Sequence, residues 1–153
     1  MLTFLGCQID GRDSYRCFYI YNAGTEVTLT GLTITNGYTS IYADAYSSSN
    51  GGAIYTGISI TLSIISSVVS SSTAYTGSCA TDASNGGGLF MGSNGNLHLQ
   101  ESTFTSNRAY QGSGVYINSG TEALIEDCTF GSNTHYNYRS SCSTAYSYQS
   151  YGK

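Results

Sequence analysis

Apolar and polar residues alternate along this chain in short runs that stop at glycine, asparagine or serine. In VTLTGLTIT (27–35), Val27, Leu29, Leu32 and Ile34 are set off by threonines and a glycine. NLHLQESTF (96–104) and ALIEDCTF (123–130) carry Leu97, Leu99, Ser102, Phe104 and Ala123, Ile125, Cys128, Phe130 in the same rhythm. A period of two bounded by turn formers marks strands with one buried face. No stretch keeps a helical period, so the pattern predicts an all-β chain.

The runs recur. GGGLFMGSNGNLHLQESTFTSNRA (86–109) matches GSGVYINSGTEALIEDCTFGSNTH (112–135) without a gap, at an offset of 26. GGAIYTGISITLSIISSVVSSSTA (51–74) matches the first of these at an offset of 35. YNAGTEVTLTGLTITNG (21–37) lines up with 117–133, and LTFLGCQIDG (2–11) overlays 27–36. These are five successive copies, the first one incomplete. Each copy has a small-residue corner (Gly51–Gly52, Gly86–Gly87, Gly112–Ser113), a short apolar strand, a polar turn, a second strand, a tight corner and a third strand.

Three short strands in a period of about 25 residues describe a parallel β-helix of about five turns, in which matching positions of successive turns form ladders. The turns are expected near 2–17, 18–50, 51–85, 86–111 and 112–133. The inward ladders are then Leu2–Val27–Leu62–Leu97–Ala123, Phe4–Leu29–Ile64–Leu99–Ile125, Cys7–Leu32–Ser67–Ser102–Cys128 and Ile9–Ile34–Val69–Phe104–Phe130. In the first strand either Ile54/Leu89/Val115 or Tyr55/Phe90/Tyr116 can face inward, and the aliphatic set is favoured. The two longer periods hold extra residues after strand three, expected as side loops at 38–50 and 75–85. The segment 134–153 is expected to be a third loop or a tail.

GGAIY (51–55), GGGLF (86–90) and GSGVY (112–116), alternating with FTSN (104–107) and FGSN (130–133), resemble the GGA[ILV] and FxxN repeats of polymorphic outer membrane proteins. VTLTGLTITNG (27–37) resembles strand sequence of the wider pectin-lyase-like group. The resemblance implies a right-handed β-helix, a surface or secreted location, and a role in adhesion or surface architecture. The FxxN signature is missing at Ile34–Gly37 and Val69–Ser72, and tyrosine- and serine-rich loops replace short links.

Composition narrows the partners. Of 153 residues only 9% are charged, the formal net charge is −4, and the five basic residues Arg12, Arg16, Arg108, Arg139 and Lys153 are scattered. Nucleic acid and anionic membrane surfaces need clustered Lys and Arg, so neither is expected as a partner. The longest apolar run, ISITLSIISSVV (58–69), is too short and too serine-broken to span a bilayer. MLTFLGC lacks a basic region and the length of a secretion signal.

Candidate chemistry is sparse. Asn107 and Asn133 share a register just after strand three, where stacked amides satisfy polar groups at a corner. Glu101 and Asp127 also share a register, at the corner between strands two and three, and are the pair a cation or a polysaccharide-cleaving enzyme would use. Gly31 and Ser66 occupy that ladder on earlier turns and no basic residue joins it, so a solvated acidic corner is the default. His98 and His135 have no Ser–Asp or Cys partner at a useful spacing. Thr33, Val68, Thr103 and Thr129 form an outward ladder of the kind that binds ice when it is flat and regular, although threonine favours strands in any case. No catalytic residue, metal or cofactor is expected.

Cys7 and Cys128 fall at one inward position on the first and last turns, too far apart to bond, and are expected to act as small apolar core residues. Cys79 and Cys142 sit in loops of the same register type and are the best disulfide pairing; Cys17 stays free or pairs with a neighbouring chain. The tyrosines assigned to loops, among them Tyr42, Tyr46, Tyr75, Tyr138 and Tyr146, are the candidate contact surface, because Tyr gives amphipathic area at low entropic cost. The expected function is a non-catalytic extracellular structural or adhesive module that stacks on copies of itself or belongs to a longer surface protein. A carbohydrate-active enzyme or carbohydrate-binding module is the alternative, and an ice-binding surface the third.

Overall fold

The computed structural model describes residues 6–40, 49–76 and 84–135. Every regular element among them is a β-strand, and every strand pairing is parallel. The strands fall into four sheets. Sheet 1 contains Phe18–Ile20, Ile54–Thr56, Leu89–Met91 and Val115–Ile117. Sheet 2 contains Glu26–Thr30, Thr61–Ile65, Asn96–Gln100 and Glu122–Glu126. Sheet 3 contains Gln8–Asp10, Thr33–Thr35, Val68–Ser70, Thr103–Thr105 and Thr129–Gly131. Sheet 4 contains Tyr38–Ser40, Thr73–Tyr75, Arg108–Ala109 and Thr134–His135. From Phe18 onward the chain visits sheets 1, 2, 3 and 4 in turn and repeats the circuit, which makes a parallel β-solenoid. Among the described residues there is no helix long and apolar enough to cross a membrane.

The registers follow the sequence periods. Val27 pairs with Leu62, Leu62 with Leu97 and Leu97 with Ala123, while Ile34, Val69, Phe104 and Phe130 form the matching ladder in sheet 3. Inward positions such as Ile34, Ile64, Val69, Leu99 and Phe104 are fully buried and form one apolar core. In sheet 1 the aliphatic set faces in: Ile54 and Leu89 are buried in that core.

Two expectations need correction. Each circuit has four strands, not three. Tyr38–Ser40, assigned to the loop at 38–50, and Thr73–Tyr75, with Tyr75 assigned to the loop at 75–85, are strands of sheet 4, as is Thr134–His135 at the start of the supposed tail. These strands are too short to show alternation, and their buried positions are Thr39, Ala74 and Ala109, small residues that carry little apolar signal; His135, in line with Ala109, is exposed. The side is narrow because backbone packs on backbone there. A Cβ on Gly87 would sit 2.6 Å from both the N and the O of Arg108 in sheet 4, and one on Gly52 would meet the Thr73 backbone as closely, so glycine at these two corners is a matter of space.

The corners share one device, a single residue with positive φ. Between sheets 2 and 3 it is Gly31, Ser66, Glu101 and Asp127; between sheets 3 and 4 it is Asn36, Ser71, Ser106 and Ser132. A non-glycine side chain in this region costs roughly 1–2 kcal/mol, partly offset by the greater chain entropy that glycine loses on folding. Ser106 is exposed, with φ 57°. Ser106→Gly is therefore expected to raise stability by roughly 0.5–1 kcal/mol, read as a higher denaturant midpoint with an unchanged m-value. An unchanged or lower midpoint would contradict the corner strain.

Candidate functional site

The inward ladder that follows the corner between sheets 3 and 4 is polar. Asn107, fully buried, accepts from the Ser72 N–H at Oδ1 (3.1 Å), and its Nδ2 donates to Val69 O (3.0 Å) and to Asn133 Oδ1 (3.1 Å). Asn133 repeats the motif one rung on, accepting from the Asn107 N–H (3.0 Å) and donating to Phe104 O (2.9 Å). Ser72 does the same with less reach, its Oγ accepting from the Gly37 N–H at 3.0 Å. One ladder over, Ser67 Oγ accepts from the Leu32 N–H and Ser102 Oγ from the Ser67 N–H, each at 3.1 Å. These groups satisfy polar atoms of a bending backbone, and Asn107 uses its acceptor and both its donors to do so.

The carboxylates do not assemble into a centre. Glu101 and Asp127 both occupy left-handed corners, and Glu101 Oε2 accepts from Ser66 Oγ at 3.0 Å. Among the described residues no group of three or more His, Cys, Asp or Glu side chains is placed to hold a metal ion. On the outer face of sheet 2, His98 Nε2 lies 3.3 Å from Glu126 Oε2 beside a shallow groove lined by Asn96, Glu122 and Leu124. Half-exposed pairs of this kind contribute between 0 and about 1 kcal/mol. The outer hydroxyls of sheet 3 are interrupted by Val68 and Gly131, and Ser70 Oγ spends a bond on Thr35 Oγ1 (3.2 Å). The expected threonine ladder is broken at Val68.

An aromatic column on the outside of sheet 1 was left open by sequence reasoning. Tyr19, Tyr55, Phe90 and Tyr116 stack face to face, with ring centroids 4.9, 5.3 and 5.5 Å apart. The spacing approaches that of the strands, so both faces of Tyr55 and Phe90 and one face each of Tyr19 and Tyr116 are covered by neighbouring rings. Sugar rings stack on faces; a column seen edge-on offers them little. Arg16 anchors it. The guanidinium lies 5.2 and 5.3 Å from the centroids of Tyr19 and Tyr55, within cation–π range. Its Nε donates to Gly51 O (2.8 Å) and its Nη2 to Asn50 O and Thr39 Oγ1 (2.9 Å each). Arg16 thus ties the column to both flanks of the segment 41–48. It occurs in one copy only, so no repeat flagged it.

Of the candidate contact tyrosines, Tyr75 belongs to sheet 4, half-buried, with its ring 6.5 Å from that of Tyr38. It is not a loop residue. Tyr42, Tyr46, Tyr138 and Tyr146, and the proposed disulfide partners Cys79 and Cys142, lie outside the described residues. His135, assigned to the tail, ends sheet 4 with its ring 5.1 Å from that of Tyr110.

The described cysteines Cys7, Cys17 and Cys128 are free thiols. Cys7 is exposed and Cys128 half-buried, a correction to their assignment as core residues. Their ladder is interior, but they stand at its two ends. Burial pushes the Cys17 thiol up to about 11, and its Sγ faces Thr35 O at 3.6 Å. Its protonated form is favoured in the folded state. That stabilisation is full below the ordinary thiol range and is lost as pH rises from about 9 toward 11. Iodoacetamide at pH 8 is expected to modify Cys7 and to reach Cys17 only on unfolding, read by peptide mass spectrometry. Equal rates at both thiols would contradict the burial of Cys17.

The ends of the solenoid are the least satisfied part of the described surface. Ile125 and Phe130 occupy the ladder positions that bury Leu99 and Phe104 completely, yet are 45% and 47% exposed. Phe130 stacks on Phe104 at 5.4 Å with one face, leaving the other unstacked. At the opposite end Ile9, Phe18 and Val27 are only partly buried and line an apolar hollow with Leu29 and Leu32. No protein-family model, curated protein or solved structure matches the chain.

Proposed function

We propose that this chain is a non-catalytic structural and adhesive module of the cell exterior. In this reading it is a right-handed parallel β-helix of about five turns that presents tyrosine-rich loops from its flank and receives another β-helix turn on its open end. That turn comes from a second copy, giving a filament, or from further repeats of a longer surface protein resembling the polymorphic outer membrane group. One observation carries the proposal: Ile125 and Phe130 stand in core register and remain about half exposed. Uncovered strand edges over an open apolar core invite another layer, and solenoids need capped ends to stay apart.

Sedimentation velocity tests the proposal. The sedimentation coefficient of the wild-type chain is expected to rise with concentration, while Phe130→Asp, which buries a charge at the joint, stays monomeric. A wild-type monomer across the accessible range would overturn stacking on a second copy.

A further inference from the structure

The interior position that follows the left-handed corner between sheets 2 and 3 is occupied, in chain order, by Cys7, Leu32, Ser67, Ser102 and Cys128. Each follows a positive-φ residue: Gly6, Gly31, Ser66, Glu101 or Asp127. Leu32, Ser67 and Ser102 are buried, so the ladder runs through the core, and its first and last rungs among the described residues are free thiols. In sheet 3 the adjoining strands Gln8–Asp10 and Thr129–Gly131 form the two opposite edges and run in the same direction. We infer that Cys128 of one copy and Cys7 of the next form a disulfide across a head-to-tail joint. The inference rests on the end-to-end stacking proposed above.

The geometry commits the occupant to a second copy. Laying Gln8–Asp10 of one copy on Thr129–Gly131 of another continues the parallel ladder of sheet 3 in its own register, puts Ile9 against the unstacked face of Phe130, and makes Cys7 the next rung after Cys128. Adjacent strands bring matching Cα atoms to about 4.8 Å, inside the roughly 4.4–6.8 Å that a disulfide spans. Within one copy three rungs separate the two thiols, on the order of 19 Å end to end, so they reach each other only between copies. A head-to-tail joint does not close on itself, and repeating it gives an open filament with one covalent bond per joint.

The oxidation is a thiol–disulfide exchange with a small-molecule disulfide such as oxidised glutathione. One thiolate displaces a glutathione thiol to give a mixed disulfide. The second thiolate attacks the protein sulfur of that bond and releases the other glutathione thiol. Two protein thiols and one glutathione disulfide become one protein disulfide and two glutathione thiols. Proton and electron counts balance, and the reaction belongs in an oxidising compartment.

The wild-type chain, equilibrated with oxidised glutathione, is expected to give a ladder of covalent oligomers on a non-reducing gel that collapses with reductant. Mass spectrometry should find a Cys7–Cys128 linked peptide. Cys7→Ser and Cys128→Ser, which place at each end the serine found on the inner rungs, are each expected to lose the ladder. Mixing the two variants should give covalent dimers and nothing longer. A ladder that persists in either variant, or rods seen by electron microscopy without the linked peptide, overturns the disulfide and leaves the stacking intact. No rods and no ladder overturn the stacking as well.

Discussion

Asn107→Leu is expected to lower stability by roughly 4 kcal/mol, enough to unfold a domain of ordinary stability near room temperature. The side chain is fully buried and supplies one acceptor and two donor contacts. Leucine keeps the volume and removes the polar atoms, stranding the Ser72 N–H and Val69 O, while Asn133 Oδ1 keeps only the Asn107 N–H. Each buried group left without a partner costs about 1–3 kcal/mol. Asn107→Asp adds a buried charge facing the Val69 carbonyl and is expected to be worse. Asn107→Ser is the informative control, because Ser72 already holds this position one rung earlier, its Oγ accepting from the Gly37 N–H. It should lose clearly less than leucine in chemical denaturation followed by circular dichroism. Equal losses for Leu and Ser would show that the ladder does not depend on hydrogen bonding.

Gly87→Val should be comparably damaging, for a steric reason. The added Cβ would lie 2.6 Å from Arg108 N and O, closer still to the Ser113 carbonyl oxygen, and all of these are backbone atoms. A side chain can rotate away from an intruder; two strands of a solenoid cannot part without opening the core. A loss of roughly 3 kcal/mol or more follows. Gly24→Ala separates space from conformation. That residue has φ +79° and nothing within 4 Å of an added Cβ, so only the left-handed backbone cost of about 1–2 kcal/mol applies. Thermal melts that rank Gly87→Val below Gly24→Ala support close packing of sheet 4 against the entry to sheet 1. The reverse order would contradict it.

The registers were readable because the copies match without gaps and their inward positions are apolar: Leu29, Ile64, Leu99 and Ile125 line up in the sequence as they do in sheet 2. Sheet 4 was not readable, since a three-residue strand such as Thr73–Tyr75 shows one inward residue, Ala74, and no period. The orientation of sheet 1 was ambiguous because Leu89 and Phe90 are both apolar. Shape decided it: the aliphatic side chains fill a closed core, and the flat rings stack outside in register. The open ends were invisible to a repeat pattern, which assigns Phe104 and Phe130 the same environment. Phe104 has a rung on both sides, whereas Phe130 sits on the last described strand of sheet 3 and is 47% exposed. The candidate site therefore differs from the core only in lacking a neighbour.

Electron microscopy of the purified wild-type chain tests that point most directly. Unbranched rods one solenoid wide are predicted, with strands about 4.8 Å apart along the rod axis and sheet 3 continuing across the joints between copies. Single particles at high concentration, or assemblies joined side by side through their flanks, would contradict it.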